Sequence, residues 1–284
     1  GDTLSGIAAR MLGSAARWRD LWQWNRATVA NPNAVSVGQV LMLREGLAPP
    51  AATPTTPTPA NDGPRTTPAT PQHGPAGDEG MAPGGKLAVG TTSLERALAE
   101  LYNTKGKLIS AEAARLGMEP EVGGAVMYVE SGGSGFRNGA MVIRFEAHIF
   151  QQFTGKWVSV QHTGNQADEY AAFERAKALD PEAAHDSISM GAAQIMGFNA
   201  ERIGYGNAME MYANFVAGEK SQLVGMFEFI RTSTALTRAA RTKDWPTFAR
   251  LYNGAGYAAN AYDKKLASAY GAFKNVMASV RSQG

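Results

Sequence analysis

Apolar residues recur three and four positions apart over most of the second half of the chain, the spacing that lines one face of an α-helix. Leu94, Leu98 and Leu101 make one such stripe, and Val122, Ala125, Val126 and Val129 make another. Phe215, Leu223, Phe227 and Ile230 predict a long helix or a helix pair, and Phe248, Leu251 and Tyr252 a further helix. Residues 141–150 differ. Met141, Ile143, Phe145, Ala147 and Ile149 alternate with Val142, Arg144, Glu146, His148 and Phe150, which is the period of a strand. Near the start, Ser5 stands ready to cap a short helix carrying Ile7, Ala8, Met11 and Leu12, and Trp18, Leu21 and Trp22 predict a second helix over residues 16–25. Asn31-Pro32-Asn33 reads as a turn and residues 40–43 as a short strand. The expected fold is mainly α: a helical α+β domain with a small β element, preceded by a small separate module.

Composition divides the chain in the same way. Of the 14 prolines, ten lie from Pro49 to Pro83 among Thr, Ala and Gly, a texture that favours extended chain and cannot bury enough apolar surface to order itself. Three segments are expected: a module over 1–46, a semi-rigid linker over 47–90, and the main domain over 91–284. With 44% hydrophobic and 18% charged residues in 284, the chain can build a sizeable core. The net charge of +2 favours an anionic surface such as a cell wall, but the basic residues are scattered and carry no interleaved aromatics, so nucleic acid is not an expected partner. No apolar run reaches the length of a membrane span. The absence of cysteine excludes disulfides, thiolate zinc sites and a cysteine nucleophile. His73, His148, His162 and His185 lack the spacing of a zinc peptidase site, and Gly132-Gly133-Ser134-Gly135 lacks the spacing of a serine nucleophile elbow.

Candidate chemistry begins at Glu130. The helix that opens at Pro120 must stop near it, because Ser131-Gly132-Gly133-Ser134-Gly135 cannot continue a helix. A carboxyl at a helix C-terminus beside an apolar stripe resists ionisation, which suits a general acid for glycosidic cleavage. A second cluster runs from Ser187 through Ser189, Met190, Gly191 and Gln194 to Gly197. Gly191 would let a sugar approach the backbone, and Gln194 offers a donor and an acceptor. A third cluster, Tyr252-Asn253-Gly254-Ala255-Gly256-Tyr257, ends a helix in a glycine turn with two tyrosines able to stack on sugars and an amide able to bond them. Each cluster also has a plain structural explanation in capping and core packing.

The first module resembles the LysM domain, a βααβ peptidoglycan- and chitin-binding unit, on Gly1-Asp2-Thr3-Leu4-Ser5-Gly6-Ile7-Ala8, Trp18, Leu21, Asn25, Asn31-Pro32-Asn33 and Val37-Gly38-Gln39-Val40-Leu41. The family begins with a strand before the Gly-Asp-Thr turn, and this chain is expected to lack it. The resemblance implies glycan contacts from Asp2, Thr3, Leu4, Asn31 and Pro32. The three clusters of the main domain, in their order, resemble the lysozyme superfamily. The longer stretches Val129-Glu130-Ser131-Gly132-Gly133, Arg144-Phe145-Glu146-Ala147-His148-Ile149-Phe150, Gln194-Ile195-Met196-Gly197-Phe198-Asn199 and Tyr252-Asn253-Gly254-Ala255-Gly256-Tyr257 are similar to the N-acetylmuramidase domain of phage endolysins.

That resemblance implies a monomeric enzyme acting at the bacterial wall, in the periplasm or at the extracellular face, without metal or cofactor. Glu130 would protonate the bond between N-acetylmuramic acid and N-acetylglucosamine, and Glu146 is the first candidate for a second carboxylate. Ser131, His148, Ser189, Gly191, Gln194, Tyr252, Asn253 and Tyr257 would bind or shape substrate. For Glu146 an ion-pair network with Arg144 and His148 is an equal alternative. Two rival functions stay open: a lytic transglycosylase using the same Glu130, and a non-catalytic wall-binding protein.

Overall fold

A computed structural model of the protein describes residues 3–12, 17–25, 29, 35, 39–43, 80–83 and 91–281. By its internal contacts the chain forms two units, Gly1–Ala69 and Thr70–Gly284.

The first unit holds helices α1 (Leu4–Leu12) and α2 (Trp18–Trp24) packed on each other. Leu4, Ala8, Trp18, Leu21 and Trp22 form its core, and the indole N–H of Trp22 donates to Val29 O at 2.9 Å. The cap is Thr3 rather than the expected Ser5: the Thr3 hydroxyl accepts from Gly6 N–H at 3.1 Å, and Ser5, two positions later, already lies inside α1. Residues 40–43 are not a strand among the described residues. A strand needs a partner for its amides, and the Met42 backbone finds one in a side chain instead. The Asn25 carboxamide accepts from Met42 N–H at 2.6 Å and donates to Met42 O at 2.7 Å, as a neighbouring peptide would.

In the second unit the helical stripes form as expected. Helix α3 (Ser93–Arg115) opens with a capping box between Thr92 and Glu95. Helix α4 (Pro120–Ser131) starts on a proline and stops at Gly132, whose φ of 74° supplies the left-handed cap. Five short strands follow: β1 (Phe136–Arg137), β2 (Ala140–Met141), β3 (Ile143–Phe145), β4 (Ile188–Met190) and β5 (Ile195–Met196). β1 pairs with β2, and β3–β4–β5 make an antiparallel sheet with Ile143 opposite Met190 and Phe145 opposite Ile188. Between β3 and β4 lie α5 (Ala147–Thr154), α6 (Gln166–Leu179) and α7 (Pro181–Asp186). After β5 come α8 (Ala208–Ala217), α9 (Glu219–Arg231), α10 (Thr234–Thr242), α11 (Trp245–Asn253) and α12 (Tyr262–Arg281). Phe215 falls on α8 and Leu223, Phe227 and Ile230 on α9, so that stripe belongs to a helix pair broken at Gly218.

The strand expected over residues 141–150 is corrected. Its alternating residues are buried as the pattern requires, but only as far as Phe145 on a strand; from Ala147 they are buried on α5, with the Glu146 carbonyl accepting from Phe150 N–H. The outer edge of β3 is satisfied by side chains of α6. Gln166 accepts from Ile143 N–H at 2.8 Å and Glu169 accepts from Phe145 N–H at 2.8 Å, so the edge has no amides left for another strand.

Helix α4 lies against both α3 and α12. Its Gly123 and Gly124 carry the rings of Phe227 and Phe273, which would stand 2.6 and 2.0 Å from an added Cβ. Two glycines inside a helix cost about 1 kcal/mol each in propensity, and the close ring packing offsets that cost. The consequence is a rigid seat for the C-terminal turn of α4. Within the stretch expected to be linker, Met81 is buried, and its carbonyl accepts from Lys107 N–H of α3.

Candidate functional site

Glu130 sits on the last turn of α4, where it meets Asn253 at the end of α11 and Tyr262 at the start of α12. The Tyr262 hydroxyl donates to Glu130 Oε1, and the Asn253 side chain also bonds the carboxylate. Burial is the largest influence and pushes the carboxyl up from 4.5 to about 7, against both hydrogen bonds, which favour the anion. Glu130 nonetheless keeps part of its surface open to solvent. The arrangement therefore holds an accessible carboxyl half-protonated near neutral pH, with two donors ready for the anion left after proton transfer. Tyr262 is itself buried, and its hydroxyl is held neutral by burial and by the neighbouring Glu130.

The cluster that begins at Ser187 forms the β4–β5 hairpin, because Gly191 at φ 69° and Gln194 at φ 47° turn the chain back. The Gln194 carboxamide works inside this turn. It accepts from the Ser189 hydroxyl at 2.8 Å and donates to Gly191 O at 2.8 Å. Ser189 and Gln194 therefore brace the hairpin, bonded to each other and to the backbone around the turn. On the side of Gly191 where a Cβ would stand lies Gln222 of α9, whose Cδ would be 2.6 Å from it. Gln222 is fully buried; it accepts from Ala192 N–H at 2.8 Å, donates to Phe215 O at 2.7 Å, and also lies against Gly135.

The loop after Glu130 is pinned by the same helix. Glu219 accepts from Gly135 N–H at 2.5 Å and from the Ser134 hydroxyl at 2.9 Å, and pairs with Lys105 of α3 at 2.9 Å. The Ser131 hydroxyl bonds back to Met127 O within α4.

Tyr252 links the hairpin to the Glu130 cluster, donating to Ala193 O at 3.0 Å. Its ring is stacked on Phe248 at 5.4 Å and met edge-on by Phe229 at 5.2 Å, so the expected sugar-stacking face is taken by core aromatics. Tyr257 is half-buried on the 3-10 segment Ala255–Asn260, beside the exposed Asn253.

Glu146 lies at the far end of β3 from the hairpin turn. Its carboxylate pairs with Arg144 at 2.9 Å and faces His148 Nδ1 at 3.5 Å, with both partners largely exposed. Among the described contacts, those of Glu146 and of Glu130 share no residue. In the first unit, Thr3 is exposed and caps α1, whereas Leu4 is 1% exposed and belongs to the core. Asp2, Asn31 and Pro32 lie outside the described residues.

Sequence reasoning missed Tyr262, Gln222, Glu219 and Lys105. A tyrosine at a helix start, a glutamine in an amphipathic helix and an ion pair separated by more than a hundred residues leave no local signature. Only the two glycine turns that Gln222 and Glu219 serve were visible.

A family model described as Muramidase, N-acetylmuramidase, matches residues 119–274, and a LysM domain model matches residues 1–44. Among solved structures, the chain is similar to the Burkholderia AP3 phage endolysin crystal structure, with 31% identity, 59% of this chain and 69% of that chain covered, and a TM-score of 0.50. The comparison with curated proteins gave no match.

Proposed function

The chain belongs to the N-acetylmuramidase family and carries a LysM domain, and from that premise we propose that it cleaves the β-1,4 bond between N-acetylmuramic acid and N-acetylglucosamine with Glu130 as the general acid. Its target is the bacterial cell wall. The observation that carries the proposal is the Glu130 carboxyl, pushed up to about 7 and bonded by Tyr262 and Asn253. With Oε1 accepting from Tyr262, Oε2 carries the proton. That proton passes to the glycosidic oxygen as its bond to the anomeric carbon breaks, and positive charge spreads over the ring as an oxocarbenium-like species. The new carboxylate is then stabilised by charge-assisted hydrogen bonds from Tyr262 and Asn253. Gln194, Ser189 and Gln222 act as positioning residues that fix the hairpin, while Tyr257, Ser131 and His148 are assigned to the substrate surface. The LysM module, over 1–46, tethers the catalytic domain, over 91–284, to the insoluble wall through the proline-rich stretch.

One observation favours a second reading. The described partners of Glu130 are uncharged, and Glu146, the candidate for activating water, is engaged by Arg144 and His148. A lytic transglycosylase, in which the muramyl C6 hydroxyl attacks in place of water, needs no such base. Mass spectrometry of the fragments released from purified peptidoglycan separates the two. Reducing-end N-acetylmuramic acid is the expected product; ends lighter by one water, the 1,6-anhydro form, would establish transglycosylation.

A further inference from the structure

A groove of about 490 Å³ opens between α3, α4 and α12, within one helical turn of Glu130. Leu94, Val129 and Ala269 contribute to its apolar lining, and so do Gly132, two residues after Glu130, and Ala261, which precedes Tyr262. Lys264 and Lys265 line the same groove and are both exposed. No ion pair or hydrogen bond of either lysine's ammonium occurs among the described residues, whereas Lys105, Lys177, Lys243 and Lys274 each have a carboxylate within 4.0 Å. Their position is also locally unfavourable, because cations in the first turn of a helix oppose its dipole. Asp263, on the same turn, is not part of the groove.

We propose that this groove is a binding subsite for the acidic peptide stem of peptidoglycan, with Lys264 and Lys265 taking the stem's carboxylates. The inference rests on the muramidase reading, which supplies the substrate. In peptidoglycan the sugar on one side of the scissile bond carries a lactyl-linked peptide bearing several carboxylates and short aliphatic side chains. That chemistry complements an apolar groove with two free cations. The reach is sufficient: three extended residues span about 10 Å, similar to the full width of one helix. The stem thus distinguishes substituted from bare glycan, while Glu130 acts on the sugar chain itself.

The test is calorimetric titration of the full chain with the free tetrapeptide stem, alongside cleavage of intact strands and of strands stripped of peptide by an amidase. The peptide should bind the wild type and the Glu130→Gln variant equally. It should bind the Lys264→Ala/Lys265→Ala variant about tenfold more weakly, with the difference shrinking as salt is added. The same double variant should raise KM on intact strands and leave stripped strands unaffected. Failure of the wild type to bind the peptide, equal binding by the double variant, or an equal loss on stripped strands would overturn the proposal. Binding of inorganic phosphate in place of the peptide would overturn it too, and would make the groove a site for phosphate-bearing polymers. Peptide binding is read without turnover, so a chain that binds the stem but releases no sugar ends contradicts the muramidase reading alone.

Discussion

Glu130 sits among the ends of three helices, and burial there is what keeps its proton. The C-terminal turns of α4 and α11 bring partial negative charge and shut out water, while the start of α12 and the Tyr262 hydroxyl pull the other way. Because the Tyr262 hydrogen bond favours the anion, Tyr262→Phe should raise the Glu130 pKa further. The alkaline limb of the pH profile of kcat/KM should then move to higher pH, even as the rate falls. In the wild type, activity that needs the protonated acid should decline as pH rises through about 7. Stability follows the same sign. A carboxyl whose folded pKa is raised from 4.5 to about 7 favours the folded state fully below 4.5, and that contribution is lost as pH rises through 7. Glu130→Gln has no such loss, so thermal melts should show the variant matching the wild type near pH 4.5 and exceeding it above neutrality, by up to about 3 kcal/mol.

At the level of elements, two glycine turns are held against α9 by Gln222 and Glu219, and both predict measurable costs. Gly191→Ala forces a Cβ into the buried Gln222 at a left-handed position, so urea unfolding should show destabilisation of about 2 kcal/mol or more. Lys105→Met leaves the Glu219 carboxylate buried beside the loop after Glu130 without its cation, a loss of about 3 kcal/mol. These elements also show what a sequence can display. The stripes at Leu94, Val122 and Phe248, and the stop after Glu130, were legible because one face of each helix is buried and because glycine ends helices. The alternation over 141–150 was legible as burial but not as conformation, since a strand running into the first turn of a helix buries the same residues. Gln194 was legible as a polar residue in a special place, but its partners, Ser189 and Gly191, depend on a hairpin that two positive φ angles create. Tyr262 was invisible because its role exists only where α12 meets α4.

For the whole molecule, the chain carries a LysM domain and a muramidase domain, and the proposed division of work is that the first holds the wall and the second cuts it. Removing residues 1–46 should leave a folded catalytic domain that cleaves short soluble glycan fragments at the wild-type rate. The truncated chain should, however, sediment poorly with intact sacculi, and co-sedimentation reads this directly. A truncated chain that lost activity on soluble fragments would contradict the division. The most direct test of the central claim is turnover by Glu130→Gln on purified peptidoglycan, with reducing sugar ends and wall binding counted in parallel. The account predicts that wall binding persists while the release of sugar ends falls by about a thousandfold or more. Release by the variant at the wild-type rate would contradict it.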